Sequence, residues 1–119
     1  MPRAATTTDV FNAIAEPRRR QIIEILAKRG AVAVGALVLL MGLPQPAVSK
    51  HLGVLKKVGI VSSLKQGQQR LYQLEAKELK PVHDWVKAFE QYWSQQMDRI
   101  RLRAEKLAKA NEQGKTKKG

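Results

Sequence analysis

The sequence predicts a mainly helical domain with a small β-hairpin. Apolar residues recur at three- and four-residue steps through several segments, which is the spacing of amphipathic helices. Two short segments, residues 60–65 and 69–74, are predicted strands. Gln66-Gly67 between them supplies a hairpin turn, because glycine tolerates a positive φ. A chain of 119 residues is long enough for one domain with one modest core.

The first two helices are bounded by start and stop residues. A short helix is predicted over residues 9–15, with Thr8 as a candidate N-cap. Pro17 suits the first position of a second helix, and Gly30 is a natural stop for it. Residues 1–7 are expected to form a flexible tail.

Two further helices lie close together in the sequence. Residues 35–41 predict a brief third helix that ends at Gly42, and residues 45–58 predict a fourth that Gly59 closes. Two short helices joined by a tight turn form a helix-turn-helix, and a hairpin directly after the second helix is a wing. These segments, in this order, predict a winged helix-turn-helix.

The last predicted helix is long and apolar on one side. After a first turn at residues 76–79, Pro81 restarts the chain as a helix that is expected to end near residue 109. Its apolar side chains recur at three- and four-residue steps. Residues 110–119 are polar and basic and are expected to be a disordered tail.

The charge of the chain is strongly positive and unevenly distributed. The net charge of +12 draws a protein of this size to polyanions, such as nucleic acid or an anionic membrane surface. No Asp or Glu occurs in residues 25–74. The same stretch holds these cations: Lys28, Arg29, Lys50, Lys56, Lys57, Lys65 and Arg70. The pattern favours a face that meets negative charge, and the plainer alternative is a merely basic surface.

The fourth helix carries the residue types that a DNA-reading helix requires. Its predicted buried side is Val48, Leu52 and Leu55. Helical geometry then places the following residues outside: Pro46, Ser49, Lys50 and Gly53, with Gln45 at the N-terminal end. A helix that enters the major groove needs donors and acceptors near its N-terminus and no acids. The alternative is an amphipathic helix whose polar side faces solvent alone.

Three segments in order resemble the ArsR-type (ArsR/SmtB) winged helix-turn-helix transcriptional repressors. They are VFNAIAEPRRRQIIEIL, PQPAVSKHLGVLKKVGIV and KQGQQRLYQL, and the resemblance covers roughly residues 8–100. The resemblance implies a homodimer in which the first and last helices pair, and double-stranded DNA as the partner. It also implies one DNA-binding and dimerisation domain over residues 8–109.

The resemblance implies two sets of functional residues. The DNA-binding set is Gln45, Pro46, Ala47, Ser49, Lys50, His51, Lys65, Gln68, Gln69 and Arg70. The dimerisation set is Val10, Phe11, Ile14, Val82, Trp85, Val86, Phe89, Trp93, Met97 and Ile100. Arg70 is the best candidate in the wing for a DNA contact, whereas His51 is expected to touch the DNA backbone rather than a base. Among the arginines of the second helix, Arg18 and Arg19 are weaker candidates for DNA contacts; at least one of the run should pair with a carboxylate or pack its stem on the core.

The sequence departs from the family pattern in two places. Pro44 replaces the Ser or Thr usual at the N-cap of the fourth helix, so this end loses a side-chain cap. The preceding helix, AVGALVLLM, carries no charge where the family usually has an acid near its start. We expect its apolar residues to be buried, with an apolar ligand surface as the alternative.

No metal site and no cofactor are expected. The chain has no cysteine, which one of the family's site types requires, and only His83 and Asp84 occupy positions of the other type. Two ligands hold a divalent transition metal poorly, so the resemblance is to the family's metal-independent branch. An aromatic group either forms the dimer core, the commoner case, or lines a pocket for a small apolar inducer. Its members are Trp85, Phe89, Tyr92 and Trp93, with Met97.

The predicted function is a sequence-specific transcriptional regulator, a homodimeric repressor of a short inverted-repeat operator. The alternatives are a non-specific architectural DNA-binding protein and a protein-interaction module that uses the apolar third helix and the last helix. No catalytic constellation occurs in the sequence, so an enzyme is not expected. The N-terminus has no secretion signal and the longest apolar run is too short to span a bilayer. The chain is therefore expected to be cytoplasmic, with no membrane partner.

Overall fold

The described part of the chain is mainly helical with one small sheet. The structure is a computed structural model that describes residues 9–118, and the side chains of residues 9–111. Its elements in chain order are α1 (Val10–Ile14), α2 (Pro17–Arg29), β1 (Val32–Ala33), α3 (Val34–Met41), α4 (Gln45–Lys57), β2 (Val61–Gln66), β3 (Gln69–Leu74), a 3-10 turn (Ala76–Leu79), α5 (Lys80–Lys87) and α6 (Glu90–Lys118). The chain divides between His83 and Asp84 into two compact units. The tail predicted at residues 1–7 lies outside the described residues.

Helices α1 and α2 each begin at an acidic side chain that caps the first turn. The Asp9 carboxylate accepts a hydrogen bond from the Asn12 backbone N–H at 2.7 Å, and the Glu16 carboxylate accepts one from the Arg18 N–H at 2.9 Å. The N-cap of α1 is therefore Asp9 and not Thr8, because the Asp9 carboxylate is the group that reaches the N–H three residues ahead.

Two arginines of α2 bind the carbonyl groups at the end of α1. The Arg19 guanidinium donates to the carbonyls of Ala13 and Asn12, at 2.5 and 3.2 Å, and Arg20 donates to that of Ile14 at 2.7 Å. The last carbonyls of a helix lack partners within it and carry partial negative charge, so cations stabilise them. The sequence suggested a carboxylate partner or core packing for this run of arginines. Among the described residues none of their guanidinium groups pairs with a carboxylate, two of them attach α1 to α2, and Arg19 is half-buried.

The helix-turn-helix consists of α3 and α4. Gly42 ends α3 in the left-handed conformation, with φ 65°, which glycine adopts readily because it has no Cβ. Pro44 is the N-cap of α4 and makes no side-chain hydrogen bond, in agreement with the prediction. Both helices agree with their predicted bounds to within one residue.

The sheet has three antiparallel strands in the order β1–β3–β2, where the sequence predicted a two-stranded hairpin. The additional strand is short, and its Val32 lies opposite Tyr72 of β3. A two-residue strand has no periodicity of its own, so it is recognisable only from its partner. The hairpin turn is Gly67-Gln68, one residue later than predicted, with Gly67 at φ 63°.

The core of the first unit is built from one face of each helix from α1 to α4 and from the start of β2. Its buried side chains are Ala13, Ile22, Leu26, Leu37, Met41, Val48, Leu52, Leu55, Ile60 and Val61. The predicted buried side of α4 is confirmed, because Val48, Leu52 and Leu55 are at most 1% exposed. One face of α4 therefore fills the core, and the opposite face is directed to solvent.

Helix α3 is less buried than the sequence predicted. Leu37 and Met41 lie in the core, but Leu39 is 84% exposed and Leu40 is 41% exposed. An α-helix turns once every 3.6 residues, so in this short helix only the side chains on one face can reach the core. The expectation that the apolar residues of this helix are all buried is therefore wrong.

The predicted last helix is two helices. Backbone hydrogen bonds from Ala88 to the Trp85 carbonyl (3.3 Å) and from Phe89 to the Val86 carbonyl (2.9 Å) tighten the chain after α5, and α6 begins at Glu90. No glycine or proline lies in residues 82–113, so the sequence held no signal for this break. Helix α6 extends to Lys118, through most of the segment predicted as a tail. Within the described residues, no helix combines the length and apolar character needed to cross a membrane.

Replacing Leu55 with alanine is expected to lower the free energy of unfolding by about 2–5 kcal/mol, because the change removes buried apolar atoms and leaves a cavity. Leu39→Ala is the matched control: this exposed leucine should change the free energy of unfolding by less than about 0.5 kcal/mol. Urea denaturation followed by circular dichroism, at one protein concentration, measures both variants. Equal losses would contradict the assignment of the core.

Candidate nucleic-acid interface

The outer face of α4 carries polar side chains at helical spacing. Gln45, Pro46, Ser49 and Lys50 are exposed, whereas Ala47 is half-buried. This division follows from the buried apolar face, because residues three or four apart share a side of the helix. No acidic residue occurs in α4. The exposed face therefore offers hydrogen-bond donors, acceptors and positive charge, without a group that would repel an anion.

The N-terminal turn of α4 leaves few backbone donors free. Pro46 has no N–H, and the Ala47 N–H donates to the Pro44 carbonyl at 3.0 Å. Many helix N-termini leave such N–H groups free to bind an anion. At this end of α4 a partner would be recognised mainly through the side chain of Gln45 and those on the next turn.

His51 is less exposed than the two residues that directly precede it in α4. Its side chain is half-buried, and its Nδ1 is enclosed without a hydrogen-bond partner among the described residues. Ser49 and Lys50, in contrast, are exposed. The predicted DNA-binding set therefore divides in the structure, because Ser49 and Lys50 are open to a partner and His51 is partly covered by the domain.

The tip of the wing places two cations opposite each other. In the pairing of β2 with β3, Lys65 lies opposite Arg70. Both side chains are exposed, and neither makes a hydrogen bond or ion pair within the part of the chain that the structure describes. Like charges directly opposite on antiparallel strands are destabilising, so a negatively charged partner would make this arrangement favourable. Gln68 and Gln69 are exposed beside this pair.

A polar network that the sequence did not predict anchors the base of the wing. The Ser62 hydroxyl donates to a Glu75 carboxylate oxygen at 2.7 Å, and the Gln73 amide donates to both groups, at 3.2 and 3.3 Å. The strand register places Ser62 directly opposite Gln73, and the Glu75 N–H donates to the Ile60 carbonyl at 2.7 Å. These contacts depend on how β2 aligns with β3, so no local pattern of residues indicates them.

The positive charge of the first unit is largely uncompensated. The seven cations of residues 25–74 are all exposed, and none of them forms an ion pair with another described residue. Glu75, the first acid after this stretch, is half-buried and bonded within the wing. These seven side chains are therefore open to an external anion.

The arginines at the start of α2 contribute less to this surface than their sequence suggested. The Arg19 guanidinium donates hydrogen bonds to carbonyls of α1, so Arg19 stabilises the packing of α1 against α2. Arg18 is exposed and donates to the Gln21 side chain at 3.3 Å. Of the two weaker candidates for DNA contacts, Arg18 is the one whose guanidinium remains on the surface.

The residues predicted for dimerisation differ in exposure. On α1, in the first unit, Val10 and Ile14 are half-buried and Phe11 is 41% exposed. Val82 belongs to the same unit and is half-buried.

In the second unit, most of the predicted dimerisation residues are exposed and follow one another at helical steps. The exposed ones are Trp85, Phe89, Trp93, Met97 and Ile100, whereas Val86 is half-buried. The rings of Trp85 and Phe89 meet edge to face, with centroids 5.2 Å apart. An exposed apolar stripe of this kind typically marks a surface that binds another protein.

His83 and Asp84 were the only candidate metal ligands in the sequence. Among the described residues, no group of three or more His, Cys, Asp or Glu side chains is arranged to hold a metal ion.

A helix-turn-helix followed by a basic β-hairpin, the wing, defines the winged-helix class of DNA-binding proteins. The model of the arsR family of bacterial regulatory proteins matches residues 16–63, which extend from the start of α2 into β2. The chain is 32% identical over 82 residues to the uncharacterized HTH-type transcriptional regulator MJ1325 of Methanocaldococcus jannaschii. This match covers 69% of this chain and 92% of that protein.

Two further similarities agree with this family. The transcriptional repressor SdpR of Bacillus subtilis is 32% identical over 81 residues, which cover 68% of this chain and 89% of SdpR. The crystal structure of the transcriptional repressor BigR from Xylella fastidiosa superposes with a TM-score of 0.54 and 32% identity, covering 66% of this chain and 81% of BigR. The chain belongs to the ArsR family of transcriptional regulators, which bind DNA and are not enzymes. The predicted family and the winged-helix fold are confirmed.

Lys65→Gln is expected to raise the free energy of unfolding by a few tenths of a kcal/mol at low salt, because it removes the repulsion across the wing from Arg70. The gain should vanish at about 1 M salt, where charges are screened within about 3 Å. Lys77→Gln removes the same charge from an exposed position outside the sheet and serves as the control. Urea denaturation at both salt concentrations measures the difference, and a less stable Lys65→Gln variant would refute the repulsion.

Proposed function

We propose that the protein is a homodimeric repressor that binds a short inverted-repeat DNA operator and has no metal-sensing site. The observation that carries this proposal is the exposed, acid-free outer face of α4, the second helix of the helix-turn-helix. In this motif the second helix enters the major groove and its N-terminal residues contact base edges. Two similar proteins, SdpR and BigR, are named as transcriptional repressors.

Base recognition is assigned to the N-terminal half of α4. Gln45 can form paired hydrogen bonds with adenine, and Lys50 can bind guanine. Ser49 can donate to or accept from either a base or a phosphate. The small residues Ala47 and Gly53 allow the helix to approach the groove closely. His51 is half-buried, and we assign it a contact with the DNA backbone.

The wing is assigned to the phosphate backbone. Lys65 and Arg70 are exposed cations at its tip, and Gln68 and Gln69 add hydrogen-bonding groups beside them. Phosphate contacts position a protein on the duplex and carry no sequence information directly. Binding by the wing should therefore contribute affinity and salt dependence, while α4 contributes sequence preference.

Dimerisation is assigned to α1 and to the exposed apolar stripe that runs from Trp85 to Ile100. Apolar surface removed from water stabilises an association by roughly 25 cal/mol per Å², so a second copy with the same stripe would gain from burying it. A two-fold dimer presents two copies of α4, which can read half-sites about one helical turn, roughly 34 Å, apart. An inverted repeat is the DNA sequence that matches this symmetry.

We propose that the regulator does not respond to a metal ion. The chain has no cysteine and two histidines, which cannot supply either kind of metal site considered above. A small apolar inducer is the alternative that the aromatic residues of the last helices support.

A second function is favoured by the net charge of +12, which would equally suit a protein that coats DNA without regard to sequence. The two functions differ in the ratio of specific to non-specific affinity. The homodimeric repressor requires a preferred operator, whereas the coating protein requires none.

Selection of bound duplexes from a random pool, at low and at moderate salt, is expected to enrich one inverted repeat. Lys50→Ala should weaken binding to that repeat and lose preference at one base position in each half-site, by about 1–3 kcal/mol. Lys77→Ala, which removes one exposed lysine outside α4, is the matched control and should keep the preference.

Three outcomes of the selection would count against parts of the proposal. Binding that enriches no sequence and fades with salt would favour the coating function. An enriched site without two-fold symmetry would contradict the homodimer. An unchanged preference in Lys50→Ala would remove Lys50 from the base-reading residues.

Arg70→Ala is expected to weaken binding to all duplexes to a similar extent, because a phosphate contact does not depend on sequence. The slope of the logarithm of affinity against the logarithm of salt concentration should flatten by about one unit per protomer. Fluorescence anisotropy with the selected repeat and with a scrambled duplex, over a range of salt, measures both effects. A loss confined to the selected repeat would mean that the wing reads sequence.

A further inference from the structure

An open groove lies between the start of α3 and the tip of the wing, within the first unit. It has a volume of about 510 Å³, and its lining includes Val34, Ala36, Leu39, Gln69, Arg70 and Tyr72. Small-molecule sites in proteins typically have volumes of about 300–1,000 Å³. The groove is therefore large enough for a small organic molecule, and the residues proposed to bind DNA through α4 do not line it.

The wall that α3 contributes is apolar and partly exposed. Leu39 is 84% exposed, although a polar side chain could occupy this position of a surface helix without loss of core packing. Gly35, which also lines the groove, has nothing within 4 Å of the point where a Cβ would lie. The apolar wall is therefore not covered by another part of the described chain, and an apolar ligand would gain by covering it.

The opposite wall carries one charge. Among the described residues that line the groove, Arg70 alone is charged, and its guanidinium has no hydrogen bond or ion pair with any of the described residues. Lys65 lies opposite Arg70 in the sheet and adds to the positive potential there. A guanidinium binds a carboxylate through two parallel hydrogen bonds, which a neutral or cationic group cannot reproduce.

We propose that this groove binds a small hydrophobic carboxylate, with its apolar body against Leu39 and its carboxylate on Arg70. The charge complementarity of an unpaired arginine beside an uncovered apolar wall selects this class over a neutral apolar molecule. A further consequence rests on the proposed function: a carboxylate bound to Arg70 neutralises its charge and repels a DNA phosphate from the same guanidinium. The carboxylate would therefore weaken DNA binding and act as an inducer, and DNA would weaken carboxylate binding by the same factor.

Decanoate is the probe, and 1-decanol is its uncharged control. Titration of the full chain without DNA, followed by NMR of methyl groups, should shift the methyl signals of Ala36, Val34 and Leu39 with decanoate. Decanol should bind at least about tenfold more weakly, since one charge-assisted contact contributes about 1.4 kcal/mol or more. Shifts confined to α6 would overturn the site, as would the absence of shifts with decanoate. Equal affinities for the two probes would overturn the role of Arg70.

Two matched variants on α3 test the apolar wall. Leu39→Gln should weaken decanoate binding by about tenfold, because the ligand loses an apolar contact of side-chain size. Leu40→Gln makes the same change at a leucine that is exposed on the same helix but does not line the groove, and it should bind as the wild type does. Both leucines are exposed, so both variants should fold. Equal effects of the two substitutions would contradict the assigned site.

The effect on DNA is measured separately with the selected repeat. Decanoate should lower the affinity of the wild type for the repeat, and Arg70→Gln, whose DNA binding is already weaker, should show no further loss on adding decanoate. Failure to select any repeat would reject the proposed function and leave the groove to be judged by the NMR titration alone. Decanoate that occupies the groove without weakening DNA binding would overturn the inducer role.

Discussion

Burial of one face of α4 is the constraint on which the interface depends. Val48, Leu52 and Leu55 are almost inaccessible, and together they fix the rotation of the helix about its axis. With that rotation fixed, Ser49 and Lys50 must face outward. A shift of one residue would turn the helix by about 100° and place Ser49, Gly53 and Lys56 at the buried positions, where an unpaired charge is strongly unfavourable. The core thus determines which side chains of α4 are open to a partner.

The base of the wing is stabilised by hydrogen bonds, whereas its tip carries two like charges that face each other. At its base, Ser62, Gln73 and Glu75 satisfy one another, and this network holds β2 in register with β3. At its tip, Lys65 and Arg70 face each other without compensation. The repulsion is tolerated because both groups are exposed and water screens them. The unfavourable pair therefore lies where it costs the fold least and where an anion can reach it.

The sequence predicted α2, α3 and α4 closely, because the signals that bound these helices are local. Pro17 and Gly30 bound α2, and the apolar spacing of α4 separated its buried from its exposed residues. It was wrong about the burial of Leu39, since composition shows that a helix is apolar but not how many of its faces a neighbour covers. It also missed the break between α5 and α6, where no residue type marks a helix end.

The sequence by itself determined the order of α1 to α4 and the hairpin, the polar face of α4 and the acid-free stretch of positive charge. Each of these follows from residue type or from spacing within a few residues. Only the tertiary structure decided that Arg19 binds carbonyls of α1, that Lys65 lies opposite Arg70, and that Leu39 and Arg70 line one groove. Each of these features joins residues from two different secondary-structure elements. Their geometry depends on packing and strand register, which are properties of the folded domain as a whole.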